Sequence, residues 1–329
     1  MKRKRVLFSL IGSLFLTSLL TACSQEEQKV EAKLSSDYPN KTITMIVPFA
    51  AGGSGDIMSR EVARISEEFF GQKVVIENKE GGSGAIALND AINRKADGYT
   101  ILNHSSTLPL TMASGQIPFK PEDIEPLATM VSNYQILAVP VDSAFKTYED
   151  FVAFAKENPR KLNIASSQTN GTNHLLALKL MSESEIDFNY VGYDGGGEAL
   201  VRILGGNADA IVASGEVVQQ QVESGELRLL GVSSSERVPL HPDVPTFKEM
   251  GLTSIDDELI WRGYFVKPGT PPQIKEKIIE VLKKVSETPE FKDYATKTNQ
   301  DIYFKSGEEL ETIINDYYED GQKLLGDSK

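Results

Sequence analysis

The stretch VPFAAGGSGDIMSREVARI, residues 47–65, ends an apolar run in a cluster of small residues and glycines and then opens a helical pattern. Thr42 to Phe49 reads as a strand, and after Asp56 the residues Met58, Val62, Ile65 and Phe69 recur at helical spacing on one face. Gly71 stands where a left-handed C-cap closes such a helix. The unit then repeats: strand 73–79, loop EGGSG at 80–84, helix 85–96, strand 99–106. Strand, glycine-rich turn, helix, strand is the signature of parallel βαβ units, so the chain is predicted to be α/β.

The middle of the chain carries the same theme with other residues. Strands are predicted at 134–140, 161–167, 188–193, 208–214 and 227–234, with helices at 148–156, 174–181 and 198–204. Segments 140–147 and 261–273 are expected to cross between two α/β units, and amphipathic helices at 273–285 and 307–325 to pack on the first. The predicted division is therefore 41–140 with 262–329 as domain 1 and 141–261 as domain 2. The roughly 290 residues after the N-terminal segment suffice for two cores.

The N-terminus is of another kind. MKRKR is followed by an apolar run from Val6 to Leu20 and then Leu20-Thr21-Ala22-Cys23, which reads as an export signal over 1–22. Cys23 is the one cysteine in 329 residues, so no intrachain disulfide is possible. Its setting is similar to the lipobox of bacterial lipoproteins, which implies lipidation at Cys23; the alternative is an incidental cysteine in an ordinary signal. Acyl chains contribute about 0.8 kcal/mol per buried methylene and would hold the protein outside the cytoplasm on the cell membrane. Residues 23–40 read as the lipidated cysteine and a flexible tether. Without the four basic residues of the signal, 30 Lys and Arg stand against 47 Asp and Glu, a net charge of −17. Nucleic acid is not an expected partner of so acidic a chain.

Four loops share one design: 50–56, 80–84, 168–173 and 194–197 each follow a strand and open a helix. Such turns leave the first helical N–H groups unpaired at the positive end of the helix dipole, where an anion fits without lysine or arginine. Glycine also serves tight turns for backbone reasons alone, so it is the recurrence that points to a binding cleft. Gly82-Ser83-Gly84-Ala85-Ile86-Ala87 matches a dinucleotide fingerprint, but no acid ends the next strand, and no P-loop is present. Gly52-Gly53-Ser54-Gly55-Asp56 approaches a nucleophile elbow but has Asp where Gly is required. His104, His174 and His241 are too scattered for a metal motif, so neither metal nor cofactor is expected. His104 and His174 fall beside the glycine-rich loops and are candidate cleft residues.

VPFAAGGSGDIMSR, VVIENKEGGSGAIA, ADGYTIL, GYDGGGEAL, LRLLGVSSSERVPLHPDVPTFKEMGL and VKPGTPPQI together resemble, in order and spacing, the solute receptors of the tripartite tricarboxylate transporters, the TctC or Bug group. The resemblance runs from about Tyr38 to the C-terminus. It implies a two-lobed type II periplasmic-binding-protein fold that closes over a small carboxylate, held by backbone N–H groups and bridging water. Carried onto this chain, Phe49, Ala50, Ala51, Gly52, Gly53, Ser54 and Asp56 would line the cleft with His104, Ser105, Ser106 and Thr107. From the second lobe would come Ser167, Asn170, Gly171, Thr172, Asn173, His174, Tyr193, Asp194, Gly195 and Ser214. The resemblance also implies large and small membrane permease subunits as partners and no catalysis. The family commonly reads Gly-Thr-Pro-Ser-His where this chain has Asn170-Gly171-Thr172-Asn173-His174, so there the histidine and the general turn carry over. Where it often has Pro-Tyr-Lys-Gly-Gly, this chain has Gly192-Tyr193-Asp194-Gly195-Gly196. Asp194 either faces the cleft, which would suit a ligand bearing an amine, or caps the following helix. A sensory receptor and a surface hydrolase using Ser54 or His174 are the alternative functions.

Overall fold

The computed structural model describes residues 37–167, 169–193 and 195–325. Residues 1–22, read above as an export signal, Cys23, most of the expected tether, Gln168 and Asp194 lie outside the described residues. Two lobes are built, each a mixed β-sheet between layers of helices.

In the first lobe β1 (Ile43–Val47), β2 (Val74–Asn78) and β3 (Thr100–Ser105) run parallel, with β1 in the middle. Beside β3 lies antiparallel β10 (Ile260–Val266), then β4 (Glu125–Asn133), and at the edge β11 (Asp301–Ile302). β1 is buried on both faces, which is why ITMIV is almost continuously apolar. Ile43 and Met45 pack with Met58, Val62 and Ile65 of α1 (Ser54–Phe70) and with α8 (Pro272–Glu287). Ile46 faces the other way, toward α2 (Ala85–Asn93), α3 (Thr107–Ala113) and α10 (Gly307–Leu325). Gly71 ends α1 at φ 65°, its N–H bonded to the Glu67 carbonyl at 2.9 Å.

In the second lobe the sheet runs β7 (Asn189–Tyr193), β6 (Asn163–Ser167), β8 (Ala210–Ser214), β5 (Gln135–Pro140), β9 (Leu227–Val232). The first three are parallel, and β5 is antiparallel to both β8 and β9. α4 (Tyr148–Glu157) and α5 (Thr172–Ser184) cover one face, while α6 (Gly196–Leu204) and α7 (Gly215–Glu223) cover the other.

The crossing differs from the expectation. β4 ends at Asn133 in the first sheet and β5 begins at Gln135 in the second, so the chain changes lobe at Tyr134 and not at 140–147. Segment 140–147 belongs to the second lobe: the Val141 N–H bonds the Glu226 carbonyl at 2.9 Å, and Phe145 lies in that lobe's core. The return comes at the start of β10, Ile260, two residues before the predicted 262. A third helix, α9 (Pro289–Lys297), separates the two expected C-terminal helices; its Thr288 side chain accepts from the Phe291 N–H. α10 packs mainly on α3 but also reaches α5 of the second lobe.

Candidate functional site

Five connections at the carboxyl ends of parallel strands meet between the lobes: β1 to α1, β3 to α3, β6 to α5, β7 to α6 and β8 to α7. Ligands of open α/β sheets bind at such ends. A cavity of about 280 Å³ lies there. Ser54, Ser105 and Thr107 line it from the first lobe, Ser167, Gly171, Thr172, Asn173, Gly196, Ala213, Ser214, Glu216 and Val217 from the second, and Ile260 and Arg262 from β10.

Three helices open toward this cavity with glycine as N-cap: Gly53 for α1, Gly171 for α5 and Gly195 for α6. A glycine cap has no side chain to occupy the helix amides. The intrahelical ladder starts at Ile57 to Gly53, Leu175 to Gly171 and Ala199 to Gly195, at 2.9, 3.0 and 3.2 Å. The amides of 54–56, 172–174, 196 and 197 therefore have no carbonyl of their own helix to bond. Partial positive charge from three helix dipoles converges on one small space, as an anion requires. α7 contributes differently, because its first N–H, that of Gly215, is taken by the Tyr134 carbonyl at 3.0 Å. Only glycine fits there: a Cβ on Gly215 would stand 2.3 Å from the Tyr134 ring.

Asp56 builds the first loop and is not free for a ligand. It is 2% exposed, and its carboxylate accepts from the Gly52 N–H at 2.8 Å, Arg60 Nε at 2.9 Å and Asn78 Nδ2 at 2.9 Å. Burial opposes its charge, but the bonds from Arg60, Gly52 and Asn78 outweigh this and hold its pKa below the usual carboxylate range. Asn78 also donates to the Phe49 carbonyl at 3.0 Å, and the Gly53 N–H to that of Ala50 at 3.1 Å, so residues 49–53 are tied at both ends. Gly52 takes φ 86°, which a side chain would resist. Asp56→Ala is expected to lower stability by about 2 kcal/mol and to speed amide exchange at Gly52 to Ser54. Unchanged exchange there would show that the loop keeps its shape without the carboxylate.

The histidines stand behind the loops. His104 is 1% exposed, its Nδ1 accepts from the Ser105 N–H at 2.9 Å, and its ring meets Phe49 edge-on at 5.5 Å. Nε2 has no hydrogen-bond partner among the described residues and lies against Gly84, whose loop 80–84 thus packs on His104 and does not line the cavity. His174 accepts at Nδ1 from the Asn170 N–H at 3.2 Å and its ring lies tilted against Tyr190 with centroids 4.3 Å apart, fixing the turn that holds Asn170 at φ 63°. Burial pushes both imidazoles down to about 4. Ser106 is fully buried and bonds across to Thr172 at 3.4 Å. Thr107 and Thr172 hydroxyls meet at 3.2 Å, a direct bond between the lobes. Tyr193 is half-buried and does not line the cavity, with Arg202 over its ring, and Ala51 is exposed. Asn173 bridges Ser167 at 2.6 Å and Gln135 at 2.9 Å.

Sequence reasoning did not single out Ala213, Glu216, Val217, Ile260 or Arg262. Arg262 Nη1 donates to Asn133 at 3.1 Å, and its Nη2 lies 3.9 Å from Glu216 Oε1. Glu216 was findable, because the strand end followed by Gly215 repeats the pattern of the other loops. Arg262, a lone cation in an apolar strand, is brought to the site by tertiary structure alone.

A model of the family described as tripartite tricarboxylate transporter family receptor matches residues 58–327. The chain is 32% identical to the protein BugT of Bordetella pertussis over 74% of this chain and 76% of that one. It is similar to a solved TctC solute-binding protein from Polaromonas, at 29% identity and TM-score 0.78 over 88% of this chain and 99% of that one. The structure of MatC from Rhodopseudomonas palustris with bound malate shares the fold, at 22% identity and TM-score 0.71 over 88% of this chain and 100% of that one.

Proposed function

The chain belongs to the tripartite tricarboxylate transporter receptor family, and from that premise we propose that it captures a small carboxylate between its lobes and delivers it to a membrane permease. The observation that carries this reading is the convergence of three glycine-capped helix N-termini on one interlobe cavity. Backbone amides supply the positive potential, so the ligand's negative charge is met without a lysine. Contacts to both lobes favour the closed state, and the permease reads that state. The Thr107 to Thr172 bond is the kind of contact that closure makes. Malate in MatC is a ligand of the proposed class.

Lipidation at Cys23 would hold the receptor on the outer face of the cell membrane, near its permease. Among the described residues no helix is long and apolar enough to cross a membrane. Hydrolysis is disfavoured by particular residues: His174 has Nδ1 occupied by Asn170, and its low pKa makes it a weak base. A sensory receptor would use the same cleft and closure and differ in the partner that reads them.

A calorimetric and thermal-shift panel of C4 to C6 dicarboxylates, hydroxy acids and amino acids, on protein freed of co-purified ligand, tests the reading. At 100 times its Kd a ligand of the native state adds about 2.7 kcal/mol. At least one acid is expected to do this; a cooperatively folded protein that none stabilises would overturn the carboxylate reading.

A further inference from the structure

We propose that Glu216 makes this receptor selective for acids that carry a cationic amine. The inference rests on the carboxylate reading of the same cavity and narrows its ligand class. Among the described residues lining the cavity, Glu216 and Arg262 are the charged ones. Glu216 sits in the first turn of α7, and its Oε2 is buried without a hydrogen-bond partner. The side chain as a whole, 22% exposed, borders the cavity, so a cation placed there lowers the cost of burying the charge.

Ser214 and Asn133 hydrogen-bond the Glu216 carboxyl but leave Oε2 without a partner. Arg262 approaches Oε1 only to 3.9 Å, while its Nη1 is held by Asn133. Burial pushes the Glu216 pKa up, and Arg262, Ser214 and Asn133 only partly offset this. A plain dicarboxylate would bring a second negative charge toward this carboxyl group, which repulsion disfavours. An ammonium group brings the opposite charge and N–H donors. The helix amides at 54, 172 and 196 remain available for the acid group, so the cavity offers separate places to the two ends of a zwitterion. At ~30 Å³ for each water-sized group, 280 Å³ admits a small amino acid.

A larger cavity, about 460 Å³, lies elsewhere, lined by Lys179, Glu258, Trp261, Tyr317 and neighbouring acids. Strand alternation puts Trp261 on the other side of β10 from Ile260 and Arg262, so the two spaces are distinct. No helix N-terminus described above opens into the larger one.

The test is calorimetry with matched pairs on the wild-type protein and on Glu216→Gln: L-aspartate with succinate, L-glutamate with glutarate, γ-aminobutyrate with butyrate. The amine-bearing member of at least one pair is expected to bind about tenfold or more tighter to wild type, and Glu216→Gln to erase that preference while the deaminated acid is held as well or better. Equal or tighter binding of the deaminated acids to wild type would overturn the selectivity and leave the carboxylate reading standing, as would an equal loss for both members in the variant. Failure of every member to bind wild type would overturn the selectivity, and only failure of the whole panel above would overturn the carboxylate reading as well. The wild-type comparison needs no variant, so it decides even if Glu216→Gln does not fold.

Discussion

Replacing Lys179 by methionine is expected to cost about 3–5 kcal/mol of folding stability, because it leaves the buried Glu258 carboxylate without its partner. Lys179 is 6% exposed and Glu258 5%. The ammonium bonds Glu258 Oε2, Asp320 Oδ2 at 2.6 Å and the Ser254 carbonyl at 3.1 Å. Burial acts against the Lys179 charge, but Glu258 and Asp320 raise its pKa, so it stays an ammonium through the neutral range. The three side chains come from different parts of the fold: α5 of the second lobe, the segment before β10, and α10, which packs on the first lobe. Urea unfolding of Lys179→Met, Glu258→Leu and the double variant separates the cost of orphaning a charge from the value of the pair. The double variant should recover most of the loss, since an apolar pair of similar volume often replaces a buried ion pair at little cost. Asp320→Asn should change stability by less than about 1 kcal/mol, because Asp320 is 38% exposed in its side chain. A loss below about 1 kcal/mol for Lys179→Met would show that Glu258 is neutral in the native state.

The second large effect is acid sensitivity. His104 and His174 fall from 6.5 to about 4 on burial, so between these values the unfolded chain binds protons that the native one refuses. Stability is then fully present above pH 6.5 and is lost as pH falls toward 4, by up to about 3 kcal/mol for each imidazole. Glu216, Asp257 and Glu258, whose pKa values burial raises, act in the opposite sense across the carboxylate range. His104→Asn and His174→Asn keep an acceptor near the position of Nδ1 and remove the titrating group. Each should flatten the slope of unfolding free energy against pH between about 4.5 and 6.5. An unchanged slope in both variants would mean that the histidines titrate alike in the folded and unfolded chains.

The alternation of strands, glycine turns and helices was legible because each βα unit is a local pattern. Gly53, Gly171 and Gly195 cap their helices within turns predicted from sequence. α3 and β4 carried no comparable punctuation and went unnoticed. The crossing at Tyr134 was misplaced because SNYQ joins two strands without glycine or proline, and nothing local marks the change of sheet. Which side of a loop a residue occupies depends on the strand's face, which sequence does not show for His104 and His174; both brace loops from behind. The juxtaposition of Asn133, Glu216 and Arg262 joins positions far apart in sequence, so no local pattern could reveal it.

The central claim is that an acid group is held by backbone amides at the starts of α1, α5 and α6. A crystal structure with the tightest-binding acid of the panel tests it most directly. The account predicts a carboxylate oxygen within about 3 Å of amides among 54–56, 172–174, 196 and 197. A carboxylate seated on Arg262 with those amides left to solvent, or in the cavity beside Lys179, would contradict it.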